Sequence, residues 1–222
     1  QHMSARRQRQ MCIRDRLTQR FRDDGYVVLR NYLDAPTVQN YLQHSVSAAA
    51  AAAQDMPQDA PPAWRLTVKG LHKHSDWFSN LAESGDHVAL LKQLLGDDLV
   101  LASCAFVDRP TNTQDGINPH IDGAGRPFHS QAGATLWIAL DGMSEESGCL
   151  YYAAGSHRYE KDRDLEISGF DRNAPGVSPI AVEAGDAIIH HAQTVHWSGG
   201  NYTQCPRRAV AFFYYGASAP AR

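Results

Sequence analysis

The chain has little that would tie it to a membrane, to nucleic acid or to an oxidising compartment. No apolar run is long enough for a membrane span or for the hydrophobic part of a signal peptide. The formal net charge is −3, so the basic excess typical of nucleic-acid-binding proteins is absent. The four cysteines show no C-x-x-C spacing, which predicts reduced thiols. We therefore expect a cytoplasmic globular protein, with neither nucleic acid nor a membrane as its partner.

The first sixteen residues look like added sequence. QHM resembles a cloning remnant, and RRQRQMCIRD at positions 6–15 back-translates into a transposase sequencing adapter read in frame. We expect residues 1–16 to be adapter-derived and disordered, the alternative being a genuine basic N-terminal arm. Residues 17–222 are then expected to form a single domain, which their number allows.

Helix signals come first along the remaining chain, and strand signals follow. The pattern predicts a helix stopped by Gly25, a second helix capped by Asp34, and a third over 86–95 that ends at Gly96. Strands are predicted at 26–30, at 99–107 and in five later β-rich runs: GATLWIALD, GCLYYAAG, SPIAVEA, GDAIIHH and RRAVAFFYYGA. Consecutive strands without helical crossovers indicate a mainly β fold, an antiparallel sandwich or barrel with flanking helices.

The stretch NPHIDGAGRP carries a candidate metal motif. His120 and Asp122 stand two residues apart, so in an extended chain both side chains point to the same face and can reach one ion. The spacing alone is weak evidence, because 11 His and 18 Asp in 222 residues give about one His-x-Asp by chance. A second copy occurs at His74 and Asp76, which we interpret as surface or loop residues because no companion ligands accompany it.

A metal site needs a third ligand, and the residues downstream favour one histidine. The candidates are His129, His157, His190, His191 and His196. His196 is followed by Ser198 on the same face, then by a Gly-Gly-Asn turn and a strand that starts at Arg207. An antiparallel return would bring Arg207 back beside His196, where its guanidinium could hold a carboxylate. His157 is expected to make a structural hydrogen bond instead.

Two histidines and one carboxylate on one face of an ion are typical of non-haem Fe(II) oxygenases, which keep open positions for a co-substrate and dioxygen. From Gly25 onward the chain resembles the phytanoyl-CoA dioxygenase family of Fe(II)/2-oxoglutarate oxygenases. The resemblance is carried by His120-Ile121-Asp122, by Trp137 in LWIALDGMSEESGCLYYAAGSH, by Gly185-Asp186, by His196-x-Ser198 with Asn201, and by Arg207.

The resemblance implies a double-stranded β-helix (jelly-roll, cupin-like) core with Fe(II) on His120, Asp122 and His196. It also implies that 2-oxoglutarate chelates the iron while its far carboxylate rests on Arg207 and Ser198. Trp137 matches a position beside the co-substrate, and Lys69 is a weaker match to a lysine that contacts it. The implied reaction hydroxylates an unactivated C–H bond of a small molecule with dioxygen, releasing succinate and CO2.

Alternatives remain at several of these positions. Trp137 is equally a buried core residue, Arg208 is the alternative anion holder to Arg207, and Arg126, His129 and Trp197 are weak candidates for substrate contacts. For the whole protein, the alternatives are a cupin-type isomerase or dioxygenase that does not use 2-oxoglutarate, and a non-catalytic metal-binding module. The sequence leaves the oligomeric state open.

Overall fold

The computed structural model describes residues 5–61, 65–123, 132–159 and 167–218, with side chains from residue 14 onward. The helices are α1 (Ala5–Asp24), α2 (Ala35–Gln54), α3 (Asp76–Ser84) and α4 (Asp86–Leu95). The strands are β1 (Tyr26–Leu29), β2 (Thr67–Lys69), β3 (Leu99–Arg109), β4 (Ile117–His120), β5 (Gly133–Ala139), β6 (Leu150–Ala153), β7 (Val177–Ile180), β8 (Ala187–His191), β9 (His196–Ser198) and β10 (Arg207–Gly216).

The strands form two antiparallel sheets. The larger sheet has the order β1-β8-β5-β10-β3-β2, and the smaller has the order β4-β9-β6-β7. Most neighbouring strands in both sheets are not consecutive in the sequence, as in a double-stranded β-helix. This arrangement confirms the predicted mainly β fold with flanking helices.

Alternation along the strands of the larger sheet separates two cores. In β5, Leu136 and Ile138 belong to the core that the sheet shares with the helices, together with Val38, Phe78 and Leu91. Trp137 and Ala139 point the other way, into a second core that includes Leu150 and Tyr152 of the smaller sheet. Successive β5 residues therefore face opposite cores, as expected of a strand, and Trp137 lies on the face that looks toward the smaller sheet.

The N-terminal helix is longer than the sequence pattern indicates. The pattern predicts a helix that begins at Leu17, and the structure describes one continuous helix from Ala5 to Asp24. Residues 5–24 contain no Gly or Pro, so nothing in this stretch breaks the i to i−4 hydrogen bonds. The predicted stop is confirmed at Gly25, which has a φ of +80° and donates its N–H to the Phe21 carbonyl.

The second helix has the predicted cap. Asp34 precedes the first turn of α2, and its Oδ1 accepts a hydrogen bond from the Thr37 N–H at 3.0 Å. Pro36 stands in the first turn, where its missing N–H removes no helical hydrogen bond. No helix in the described part of the chain is long and apolar enough to cross a membrane.

Candidate metal centre

Cross-strand pairing brings the two motif histidines together at one end of the smaller sheet. His120 ends β4, His196 begins β9, and their Cα atoms are partners in the antiparallel register. Asp122 follows two residues after His120. Its Oδ1 lies 4.0 Å from Nε2 of His120 and 3.9 Å from Nε2 of His196. Among the described residues, this is the one cluster of three His, Cys, Asp or Glu side chains whose donor atoms approach closely enough for a metal ion.

Backbone carbonyls fix which nitrogen of each histidine faces the cluster. Nδ1 of His120 donates to the Asn118 carbonyl at 2.8 Å, and Nδ1 of His196 donates to the Thr194 carbonyl at 3.0 Å. With the proton on Nδ1, the Nε2 atom of a neutral imidazole keeps its lone pair for a metal. Burial lowers the pKa of His196 well below its ordinary value, and the neighbouring imidazoles of His120 and His190 lower it further. His196 is therefore neutral at pH 7, the form that coordinates metals.

The Asp122 carboxylate is held on its far side by groups from the larger sheet. Oδ2 accepts hydrogen bonds from Nε2 of His190 at 2.9 Å and from the Thr135 hydroxyl. Burial acts to raise the pKa of Asp122, but the His190 hydrogen bond and the three surrounding imidazoles outweigh it and hold the pKa well below its usual range. The carboxylate is thus ionised, and its Oδ1 remains directed at both Nε2 atoms.

A buried tyrosine extends this network by one step. The Tyr152 hydroxyl lies 2.9 Å from Nδ1 of His190. Because Nε2 of His190 donates to Asp122, its Nδ1 accepts from the Tyr152 hydroxyl in the neutral ring. Tyr152 comes from the smaller sheet and His190 from the larger one, so the chain of hydrogen bonds crosses the space between the sheets.

Sequence reasoning missed Thr135 and Tyr152, and it considered His190 only as a possible third metal ligand. It did provide one signal, because adjacent strand residues face opposite ways and only one of His190 and His191 can face a given cavity. The structure assigns that place to His190, whereas the His191 ring packs near Phe21 and His157. His157 itself donates from Nε2 to the Arg22 carbonyl at 3.0 Å, which confirms the predicted structural hydrogen bond.

The second His-x-Asp motif is part of a surface turn and a helix start. His74 follows a short 3-10 turn and lies 3.8 Å from Oδ2 of Asp55. Asp76 is the first residue of α3. Neither residue approaches a third metal-binding side chain closely enough to join a cluster within the described ranges, which confirms the interpretation of this motif.

An arginine and a serine meet in the buried space between the sheets. Nη2 of Arg207 donates to Oγ of Ser198 at 3.3 Å, and Arg207 is only 2% exposed. Burial lowers the pKa of Arg207 to about 10, with the nearby Arg109 as the next cause, so the side chain stays cationic at neutral pH. The Arg207 Nε atom has no hydrogen-bond partner in the described structure. A buried cation with an unused donor is suited to a carboxylate ligand.

Arg208, the alternative anion holder, faces the opposite way. Its Nε and Nη2 atoms donate to the two oxygens of Asp141, each at 2.8 Å, in a forked ion pair. The two Arg208 donors that could hold a carboxylate ligand are therefore already bonded to Asp141. The geometry thus favours Arg207 over its neighbour.

The route by which Arg207 reaches Ser198 differs from the predicted hairpin. We expected β9 and β10 to pair as an antiparallel return, but β10 pairs with β3 and β5 while β9 pairs with β4 and β6. The two strands belong to different sheets, so Arg207 meets Ser198 across the interior. The sequence shows the turn but not which sheet each strand joins.

The remaining predicted site residues differ in whether the structure places them on the inner face that carries the candidate metal cluster. Trp137 is buried on the inner face of β5, two residues from Thr135. Lys69 is exposed on edge strand β2, opposite Ala105, and therefore lies on the same face of the larger sheet as Trp137. The structure does not bring Trp197 to the metal centre, because it lies between His196 and Ser198 and its ring stacks on Tyr151 on the other face of β9. Arg126 and His129 lie outside the described residues.

Comparisons with known proteins agree with this geometry. The sequence model described as "Phytanoyl-CoA dioxygenase (PhyH)" matches residues 21–209. A probable alpha-ketoglutarate-dependent hypophosphite dioxygenase of Stutzerimonas stutzeri is 27% identical, over 68% of this chain and 57% of its own. Phytanoyl-CoA dioxygenase domain-containing protein 1 of Rattus norvegicus is 26% identical, over 64% of this chain and 54% of its own. The chain spans a little over half the length of these curated relatives.

Solved structures extend the similarity to nearly the whole chain. The non-heme alpha ketoglutarate dependent epimerase SnoN from nogalamycin biosynthesis is 28% identical, with a TM-score of 0.79, covering 96% of this chain and 86% of SnoN. A second SnoN structure is described as a complex with Fe3+, alpha ketoglutarate and nogalamycin RO. The carbocyclase SnoK, 22% identical with a TM-score of 0.78 and covering 93% of this chain and 85% of its own, shares the fold.

Proposed function

The chain belongs to the phytanoyl-CoA dioxygenase family, and from that membership we propose that it is an Fe(II)/2-oxoglutarate-dependent oxygenase that hydroxylates an unactivated C–H bond of a small molecule. One observation carries the proposal. Two histidine Nε2 atoms and one Asp122 oxygen converge at about 4 Å beside a buried Arg207 whose Nε is unpaired. The relatives described as alpha-ketoglutarate-dependent, together with the SnoN complex, support the same cofactors.

The donor set fits Fe(II). Two neutral imidazoles and one carboxylate would hold the ion through His120, His196 and Asp122 and leave positions for a co-substrate and dioxygen. Bound there, the iron would supply dioxygen activation, with 2-oxoglutarate as the reductant that ends as succinate and CO2. The protein contributes a fixed carboxylate, fixed tautomers and a buried anion site.

Arg207 and Ser198 would hold the far carboxylate of 2-oxoglutarate. Ser198 stands two residues from the metal ligand His196 on the same face of β9, so a short dicarboxylate can reach from the ion to the guanidinium. Trp137 on the inner face of β5 would flank the co-substrate, and Lys69 at the sheet edge, the weaker match to the family, would also contact it. The same residues favour this proposal over a cupin-type enzyme without 2-oxoglutarate, which has no use for a buried, part-satisfied arginine.

Hydroxylation is the outcome we propose for the oxidised substrate. The structural relatives include an epimerase and a carbocyclase, so the fold is compatible with several outcomes at the attacked carbon. The resemblance implies that related halogenases lack the carboxylate ligand, whereas here Asp122 is present and held by two hydrogen bonds. Succinate release stimulated by fractions of a metabolite pool, followed by mass analysis for the gain of one oxygen, identifies the substrate and tests this outcome.

Arg207 and Arg208 form a matched pair for testing the co-substrate site. Loss of a buried charge-pair partner costs about 2–5 kcal/mol, so Arg207→Met should weaken 2-oxoglutarate binding by roughly thirtyfold or more. Arg208→Met removes an equal charge from the opposite face and should leave the affinity within about twofold of the wild type. The measurement is calorimetric titration of the Fe(II)-loaded protein without oxygen. Wild-type affinity in Arg207→Met would show that the co-substrate assignment is wrong.

A further inference from the structure

A second guanidinium faces the same buried space as Arg207. Arg109 ends β3, and its Cα is the direct partner of Arg207 in the antiparallel register. Opposite residues of an antiparallel pair project from the same face of the sheet. Val107 and Ala209, two residues along each strand, belong to the core between the two sheets, so this shared face is the inner one. Arg109 is only 4% exposed.

The Arg109 side chain has donors that the described structure does not use. Its Nε and Nη1 atoms are buried and have no hydrogen-bond partner among the described residues, and neither has Nε of Arg207. No carboxylate of the described chain forms an ion pair with either side chain within 4 Å. Each unsatisfied buried donor destabilises the fold, and two buried like charges add repulsion. An anion between the two arginines would reduce both effects, because it accepts hydrogen bonds from the free donors and neutralises the positive charge.

The Arg109 side chain is not needed to fix the end of β3. The buried amide of Asn201 donates to the backbone carbonyls of Arg109 and Pro110, each at 3.2 Å, and to that of Cys205 at 2.8 Å. One side chain therefore ties the end of β3 to the segment that leads into β10. Because these bonds involve only the backbone at position 109, they remain when its side chain is replaced.

We propose that Arg109 and Arg207 together form a two-guanidinium site for the far carboxylate of 2-oxoglutarate. The inference rests on the proposed function and goes further by assigning a second cation to its co-substrate site. The free donors are Nε of Arg207 and Nε and Nη1 of Arg109, and a carboxylate offers about four acceptor positions for them. A 2-oxo acid without a far carboxylate leaves both charges unneutralised, so the pair selects for a dicarboxylate.

Arg109→Met tests the assignment, because it keeps the length of the side chain and removes its charge and donors. Fe(II)-loaded wild type and variant are titrated calorimetrically with 2-oxoglutarate and with 2-oxobutyrate, which lacks the far carboxylate. We expect Arg109→Met to weaken 2-oxoglutarate binding by tenfold or more and to leave 2-oxobutyrate binding within about twofold. The melting temperature of the ligand-free variant should equal or exceed that of the wild type, since an unneutralised buried charge is gone.

The outcomes separate the inference from the proposed function. Wild-type affinity of Arg109→Met for 2-oxoglutarate would overturn the inference alone, and a lowered ligand-free melting temperature would then assign Arg109 a purely structural role. Absence of 2-oxoglutarate binding by the Fe(II)-loaded wild type would overturn both. If Arg109→Met does not fold, Arg109→Lys keeps the charge with fewer donors. It should bind 2-oxoglutarate more weakly than the wild type, and unchanged affinity would again refute the inference.

Discussion

The Asp122 carboxylate organises the metal centre at the scale of single residues. One oxygen faces the two Nε2 atoms, and the other is held by His190 and Thr135. Without these hydrogen bonds the carboxylate could rotate away from the histidines. The charge and the orientation of the Asp122 carboxylate therefore depend on His190 and Thr135, which are not themselves members of the candidate metal cluster.

His190→Phe should weaken Fe(II) binding roughly 10- to 100-fold, because it removes the hydrogen bond that orients and stabilises the ionised Asp122. Tyr152→Phe is the matched control, since it deletes only the hydroxyl at the far nitrogen of His190 and leaves the His190–Asp122 bond in place. We expect less than a tenfold loss for this control. The measurement is competition for Fe(II) with a chelator of known affinity, without oxygen. Equal Fe(II) affinity in His190→Phe and wild type would contradict the role given to His190.

The three residues of the candidate metal cluster could be proposed from the sequence, whereas the groups that hold them could not. His120 and Asp122 share a spacing that puts them on one face, and His196 precedes a serine and an arginine in a suggestive order. The partners Thr135 and His190 reach Asp122 because β5 and β8 pair in one particular register, Thr135 opposite His190. That register depends on packing of the whole sheet, so no local pattern reveals it.

At the scale of elements, α4 is fastened to the larger sheet by a buried histidine. Nε2 of His87 lies 2.8 Å from the Tyr214 hydroxyl of β10, which donates in turn to the Ala82 carbonyl at the end of α3. The His87 ring also packs against Phe212. Burial lowers the pKa of His87 from 6.5 to about 4, so the folded protein holds this imidazole neutral.

This burial predicts a pH dependence of stability. Between pH 6.5 and 4 the unfolded state binds a proton at His87 that the folded state does not, so the stabilisation is complete above pH 6.5 and is lost as the pH falls. The loss at pH 4.5 is on the order of 2 kcal/mol. His87→Gln keeps a hydrogen-bond donor but does not titrate. Urea unfolding at pH 7.5 and 4.5 should show a smaller fall in the free energy of unfolding for His87→Gln, and an equal fall would contradict the prediction.

Elements with local end signals were predictable, and those defined by tertiary contacts were not. Gly25, Asp34 and Gly96 mark helix ends in the sequence, and the structure places the ends there. Residues 65–80 show no clear helix or strand pattern in the sequence, yet β2 lies there and α3 begins at Asp76. β2 is three residues long and exists as an edge strand because β3 extends beside it. The predicted pairing of β10 with β9 was wrong for a related reason. The turn before β10 does not specify which sheet the strand joins.

At the scale of the whole molecule, two sheets enclose the proposed site from opposite sides. The smaller sheet supplies His120, His196 and Ser198, and the larger sheet supplies His190, Arg109 and Arg207. Residues from distant parts of the chain therefore meet between the sheets, where Arg109, Arg207 and His196 are buried and charge–charge interactions are stronger than in solution. Helices cover the outer face of the larger sheet and leave the inner face for the chemistry.

The most direct test of the central claim is a crystal structure of the protein grown without oxygen in the presence of Fe(II) and 2-oxoglutarate. We predict one ion bound by Nε2 of His120, Nε2 of His196 and Oδ1 of Asp122, with the far carboxylate of 2-oxoglutarate on Arg207. An ion bound by other side chains, or a co-substrate whose far carboxylate lies away from Arg207, would contradict the account.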